Sequence, residues 1–297
     1  MSAEVHAFPD EAGPAGRFAD ALDLPLRRIR PHAFPDGESR PTVTATAGAT
    51  VILYGGLARP DERLMPLLLA ADALRRAGAA RVDLVAPYLP YMRQDRVFTQ
   101  GEPLSQAVMG RVLSGAFDRV LTLEAHLHRT PDLAAVFPGR VARNAGGGEV
   151  LAEALGRLRP RVDLVAGPDS ESAPWASAVA ERLGVGVVVA EKDRRGDRKV
   201  HLRYPDDLRV EAAHIALVDD ICSSGGTLAA AARALRAAGA RRITAAVVHG
   251  LFDARTARAL KAAGVDRLIA TDSAAGPGRR LPVADVLARA WREMDAA

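Results

Sequence analysis

Val218-Asp219-Asp220-Ile221-Cys222-Ser223-Ser224-Gly225-Gly226-Thr227 lies between an apolar run at 215–218 and an alanine-rich stretch at 228–238. The run predicts a buried strand and the alanine-rich stretch a helix, so these residues turn a strand tip into a helix N-terminus. Open α/β sheets bind ligands at such turns. Two serines, two glycines and a threonine expose several backbone N–H groups there, and the helix dipole favours a phosphate at the same place. Asp219 and Asp220 would repel that phosphate. They fit if they face its ribose, accepting from vicinal hydroxyls or holding a divalent cation. A capped turn with solvated acids is the plainer reading of Ser-Ser-Gly-Gly alone, and the two acids directly before it weigh against that reading.

Upstream, 162–166 and 185–190 predict strands and 149–158 and 174–183 helices. Gly167-Pro168-Asp169-Ser170-Glu171-Ser172 is a loop after the first of these strands, and 191–199, with Lys192 and Arg194, reads as a solvated charged loop. Downstream come strands at 243–248 and 268–271, a helix at 254–263, a loop at 272–280 and an amphipathic helix over about 283–295.

The first half shows the same alternation. Strands are predicted at 51–54, 82–86 and 119–123, and helices at 61–77 and 104–114, with Gly78 ending the first helix. Phe34-Pro35-Asp36-Gly37-Glu38 is turn-prone and reads by itself as a surface hairpin. Two prolines, Pro87 and Pro90, stop any regular element before Arg93-Gln94-Asp95-Arg96, which places those side chains on a loop beyond a strand end. Glu124-Ala125-His126 follows another strand; a lone histidine there is usually structural. The segment with Pro131, Pro138 and Gly146-Gly147-Gly148 reads as a linker, giving domains 1–145 and 146–297, with the terminal helix able to pack back on the first. Residues 71–81 and 232–242 run closely parallel, which predicts two similar domains built on parallel sheets.

Composition sets the class. The 297 residues have room for two domains of about 150 each, and 48% hydrophobic with 26% charged residues describes a soluble globular chain. No apolar run approaches the roughly 20 residues that span a bilayer, and the N-terminus lacks a signal peptide's design, so a cytoplasmic setting is expected. The single cysteine, Cys222, excludes an intrachain disulfide and fits a small packed thiol. A net charge of +4, with basic and acidic residues interleaved, gives no basis for nucleic-acid binding; anionic small substrates account for it.

Taken together, Phe34-x-Asp36-Gly37-Glu38, Pro87-Tyr88 with Arg93-Gln94-Asp95-Arg96, Glu124-x-His126, Pro168-Asp169, Lys192-x-Arg194 and 219–227 resemble the ribose-phosphate pyrophosphokinases, in order and over nearly the whole chain. The resemblance implies an α/β chain of two phosphoribosyltransferase-like (Rossmann-like) domains, each a mostly parallel sheet flanked by helices. It implies Mg²⁺-dependent transfer of the β,γ-diphosphoryl group of ATP to the 1-hydroxyl of ribose 5-phosphate. On the ATP side it implies Phe34, Asp36, Glu38, Arg93, Gln94, Asp95 and Arg96. For ribose 5-phosphate it implies Asp219, Asp220, Ser223, Ser224, Gly225, Gly226 and Thr227. Lys192 and Arg194, on a loop that moves in the family, would stabilise transition-state charge, and His126 and Asp169 would hold or orient Mg²⁺. It also implies a homo-oligomer, since the Phe34 loop would serve a neighbouring subunit's site. The chain departs from the family pattern at Glu124, where aspartate is common, at Glu171, where glycine is common, and at Trp175, where arginine is common. A non-catalytic regulatory homologue and a phosphoribosyltransferase that consumes the product remain alternative readings.

Overall fold

The structure, a computed structural model, describes residues 2–193, 201–205, 208 and 210–296. The chain divides into two compact units, Met1–Gly146 with Pro282–Ala297, and Gly147–Leu281.

The first unit is built from β1 (Ala3–Ala7), α1 (Ala12–Leu22), β2 (Leu26–Arg28), β3 (Thr50–Tyr54), α2 (Pro60–Arg76), β4 (Arg81–Ala86), α3 (Ser105–Ala116), β5 (Arg119–Leu123) and β6 (Val141–Ala145). Its six strands are all parallel in the order β2-β1-β3-β4-β5-β6. The central strand β3 is buried along its whole length, and Val51, Leu53, Leu84, Phe117 and Phe137 share the core beside it. A strand buried on both faces reads as a near-continuous apolar run, which is why Val51 to Tyr54 show no alternation.

The second unit contains α4 (Gly148–Gly156), β7 (Leu164–Gly167), α5 (Ala173–Leu183), β8 (Gly186–Val189), β9 (Glu191–Asp193), β10 (His201–Arg203), β11 (His214–Cys222), α6 (Gly226–Ala237), β12 (Arg242–Gly250), α7 (Ala254–Ala262), β13 (Arg267–Thr271) and β14 (Arg279–Leu281). Its main sheet is parallel in the order β14-β13-β12-β11-β7-β8, and β9 and β10 form a separate antiparallel hairpin. The last helix, α8 (Ala284–Ala296), returns to the first unit, where Leu287, Trp291 and Met294 are buried and Arg119 donates to the Met294 carbonyl at 2.8 Å.

With the hairpin set aside, the two sheets have one winding. Ranked by position in the chain, both read second, first, third, fourth, fifth, sixth. The likeness reaches individual bonds. Gly78 and Gly239 each end a helix at φ +98°, a conformation that favours glycine. Arg75 pairs with Asp118 at 2.9 Å while Asp118 accepts the Val82 N–H at 2.9 Å. Arg236 pairs with Asp266 at 2.6 Å while Asp266 accepts the Ile243 N–H at 2.7 Å.

Four elements depart from the sequence reading. β6, inside the segment read as a linker, is a half-exposed edge strand whose sequence VARNA offers no apolar run. β9 takes the start of the charged loop read at 191–199 and pairs with β10 beyond it, because backbone pairing in a two-stranded hairpin demands no buried face. β11 continues through the two aspartates to Cys222, since β12 runs beside it as far as Gly250. The acids therefore sit on the strand's final turn of pleat and not in the loop.

Candidate active site

In the second unit, three carboxylates meet at the carboxyl ends of β7 and β11. Asp219 and Asp220 occupy adjacent positions on β11. Asp219 accepts the Asp220 N–H at 3.0 Å, and Asp220, buried, accepts the Ile221 N–H at 2.7 Å. Burial pushes the Asp219 carboxyl well above the usual range, and the charges of Asp220 and Asp169 push it further. Crowded like charges of this kind call for a shared proton or a cation.

Asp169 begins the short turn Ser170–Ser172 that leads into α5. Its carboxylate accepts the N–H groups of Glu171 at 3.1 Å and Ser172 at 3.3 Å, and the Ser172 hydroxyl donates to the Asp169 carbonyl at 2.5 Å. Glu171 is thus a member of the turn that Asp169 caps. Oxygen donors of this kind suit Mg²⁺, which takes one or two carboxylates and completes its shell with phosphate oxygens and water. Among the described residues no three His, Cys, Asp or Glu side chains form a ready-made metal site.

Beyond the acids the chain bends into α6. Ser223, Ser224, Gly226 and Thr227 are exposed. Gly225 takes φ +73°, and a side chain there would press on Thr256. Gly226 is different: a methyl group on it would find nothing nearer than the Ser224 hydroxyl at 3.8 Å. The free N–H groups of a twelve-residue helix thus face open space bordered by hydroxyls. Tyr204, absent from the sequence reading, belongs to this group. It is buried, its hydroxyl donates to the Gly167 carbonyl at 3.1 Å, and burial followed by the charges of Asp169 and Asp219 raises its pKa. Lys192 is on β9, opposite Leu202 of β10; Arg194 lies outside the described residues.

The remaining sequence candidates belong to the first unit. Phe34, Asp36 and Glu38 form a hairpin closed by the Phe34 N–H to Glu38 carbonyl bond at 2.8 Å and turned by Gly37 at φ +92°. Phe34 packs edge-on against His32, with centroids 4.5 Å apart, and lies 5.6 Å from the Arg40 guanidinium. Asp36 and Glu38 line a cavity of about 1080 Å³ beside α2. Arg93 and Arg96 are exposed on their loop, with Arg96 stacked 4.7 Å from Phe98. Gln94 accepts from Ser105 at 2.6 Å. The Asp95 side chain is 2% exposed and accepts from Arg129 at 3.0 and 3.2 Å, so it ties the loop down. His126 is half-buried, 5.9 Å from His128, next to Glu124, whose φ of +40° marks a strained strand end. The adjoining Ala125 N–H donates to Asn144 of the unforeseen strand β6.

Comparison with known proteins gives the same order of parts. A family model described as the N-terminal domain of ribose phosphate pyrophosphokinase matches residues 12–116, and one described as the phosphoribosyl transferase domain matches 144–276. The ribose-phosphate pyrophosphokinase of Methanopyrus kandleri is 36% identical, over 92% of this chain and 93% of its own. That of Thermococcus kodakarensis is 33% identical, over 93% and 94%. The crystal structure of phosphoribosylpyrophosphate synthetase from Mycobacterium smegmatis has a TM-score of 0.84 at 25% identity, covering 100% of this chain and 99% of that one.

Proposed function

The chain belongs to the ribose-phosphate pyrophosphokinase family, and from that premise we propose how its residues share the reaction. The enzyme transfers the β,γ-diphosphoryl group of ATP to the 1-hydroxyl of ribose 5-phosphate, giving phosphoribosyl pyrophosphate and AMP. The observation that carries the assignment of roles is the open bend at 223–227 directly after two crowded aspartates.

The 5-phosphate takes the N–H groups and hydroxyls of Ser223, Ser224, Gly225, Gly226 and Thr227. Asp219 and Asp220 accept from the ribose hydroxyls. Attack of the 1-hydroxyl on the β-phosphorus breaks that atom's bond to the AMP oxygen and spreads negative charge over the phosphoryl oxygens, so positioning and cationic groups do most of the work. Lys192 and Arg194 are the protein's cations for that charge. Asp169 in the second unit and His126 in the first would be protein partners for Mg²⁺, which would supply positive charge to the phosphate oxygens. For ATP, Phe34 offers a ring face to adenine, Asp36 and Glu38 offer acceptors, and Arg93, Gln94 and Arg96 offer donors, with Asp95 holding their loop through Arg129. The Phe34 hairpin serves a second copy of the chain, which makes the working form a homo-oligomer.

Incubation with ATP, ribose 5-phosphate and Mg²⁺ is expected to release AMP only when all three are present, and other pentose phosphates in the same assay define the acceptor. Folded protein that releases no AMP under saturating substrates overturns the reading. Mixing a Phe34→Ala variant with an Asp220→Asn variant tests the shared site: restored AMP release supports it, and two independently dead chains reject it.

A further inference from the structure

One backbone oxygen holds both ends of the β9–β10 hairpin. The Ala190 N–H, immediately before β9, donates to the Gly167 carbonyl at 3.0 Å, and the Tyr204 hydroxyl, immediately after β10, donates to the same oxygen at 3.1 Å. Gly167 has little freedom to move away. A side chain on it would overlap the Ser172 hydroxyl, which itself donates to the Asp169 carbonyl. The same carbonyl thus registers the strand that carries Lys192 against the turn that carries Asp169. A buried tyrosine keeps its hydroxyl bonded, and here the acceptor chosen is the one that also fixes the hairpin's other foot.

We propose that Tyr204 is a positioning residue for diphosphoryl transfer, setting the β9–β10 hairpin and its Lys192 in register with the Pro168-Asp169 turn through the Gly167 carbonyl. The proposal rests on the roles given above to Lys192 and Asp169. Because the hydroxyl is committed to the Gly167 carbonyl, its loss misplaces a charge-stabilising group instead of removing a binding contact, and misplacement lowers turnover more than affinity.

The test is Tyr204→Phe in the full chain, which keeps the ring and removes the donor. Loss of one ordinary hydrogen bond's worth of positioning is expected to lower kcat about tenfold, with both KM values within about twofold of the parent. In a Lys192→Ala background, measured at higher enzyme concentration, the same substitution is expected to change kcat little, because the group it positions is gone. Amide exchange in β9 and β10 is expected to quicken while β11 stays protected. An unchanged kcat, a loss that multiplies undiminished on top of Lys192→Ala, a loss confined to KM, or unchanged exchange in the hairpin overturns the proposal. If the parent enzyme itself releases no AMP, the assignment of function fails instead, and hydrogen exchange still reports whether Tyr204 holds the hairpin.

Discussion

The two units wind their strands in one order and fasten them with the same arginine–aspartate joint, yet they end their sheets differently. After β1 the chain runs Phe8-Pro9-Asp10-Glu11, and after β7 it runs Pro168-Asp169-Ser170-Glu171. In the first unit, Asp10 pairs with Arg63 from the first turn of α2, Arg63 lies 3.9 Å from Glu11, and a methyl group on Gly56 would overlap the Glu11 carboxylate. The bend between β3 and α2 is thus occupied by the protein's own side chains. In the second unit the corresponding bend leads from a carboxylate pair to exposed hydroxyls and a glycine with open space beside it. The difference teaches that the winding supplies a place for an anion, and that local side chains decide whether the chain fills that place itself or leaves it for a ligand.

That contrast can be broken at several points. Replacing both Asp219 and Asp220 by Asn is expected to lower kcat/KM for AMP formation by about 10³-fold, while Asp10→Asn leaves it within about twofold because the Asp10 carboxylate is paired with Arg63 at the surface. Equal losses from the two would show that the first bend is also catalytic. Next in size, Gly226→Ala is expected to raise the KM for ribose 5-phosphate about a hundredfold by displacing the phosphate from charge-assisted N–H donors, with Tm unmoved because the protein leaves room for the methyl group. Its counterpart Gly56→Ala is expected to do the reverse, lowering Tm and sparing that KM.

The smallest effect lies at the opposite ends of the sheets. Asp83 of β4 occupies the place that Thr244 holds in β12. Thr244 bonds the buried His214 at 2.9 Å, whereas the Asp83 carboxyl is fully buried with one oxygen unpartnered among the described residues. Burial pushes its pKa from 3.8 up to about 6, against the pull of Arg81 and Arg119. A raised carboxyl favours the folded state fully only below pH 3.8 and loses that advantage as pH climbs through about 6. Asp83→Asn should therefore match the parent's Tm in acid and exceed it near neutrality, by a stability gain on the order of 3 kcal/mol. A Tm difference that does not vary with pH would contradict the assignment.

Much of this was legible in the sequence because it rests on local chemistry. The strand-to-helix bend at 219–227 announced itself by residue type, and the parallel between 71–81 and 232–242 foretold two similar parallel-sheet domains with a glycine, Gly78 or Gly239, between helix and strand. What stayed hidden rests on distant or unpatterned partners. Tyr204 acts on a carbonyl 37 residues away. Asp95 is committed to Arg129, 34 residues on, and no spacing rule links the two. β6 and β14 are edge strands too polar or too short to leave a periodic trace. The sequence placed Asp219 and Asp220 correctly beside the bend, but only the pairing of β11 with β12 reveals that the sheet itself carries them.

The return of α8 to the first unit sets an order of events during synthesis. The strands β1 to β6 leave the ribosome before the second unit, but the helix that covers β5 and β6 with Leu287, Trp291 and Met294 follows it. The second unit, whose main sheet is complete by Leu281, can therefore mature while its predecessor still waits with an uncovered apolar flank. A stop codon just before Pro282 would consequently damage the earlier-made unit and spare the later one, an outcome that limited proteolysis of stalled chains would reveal.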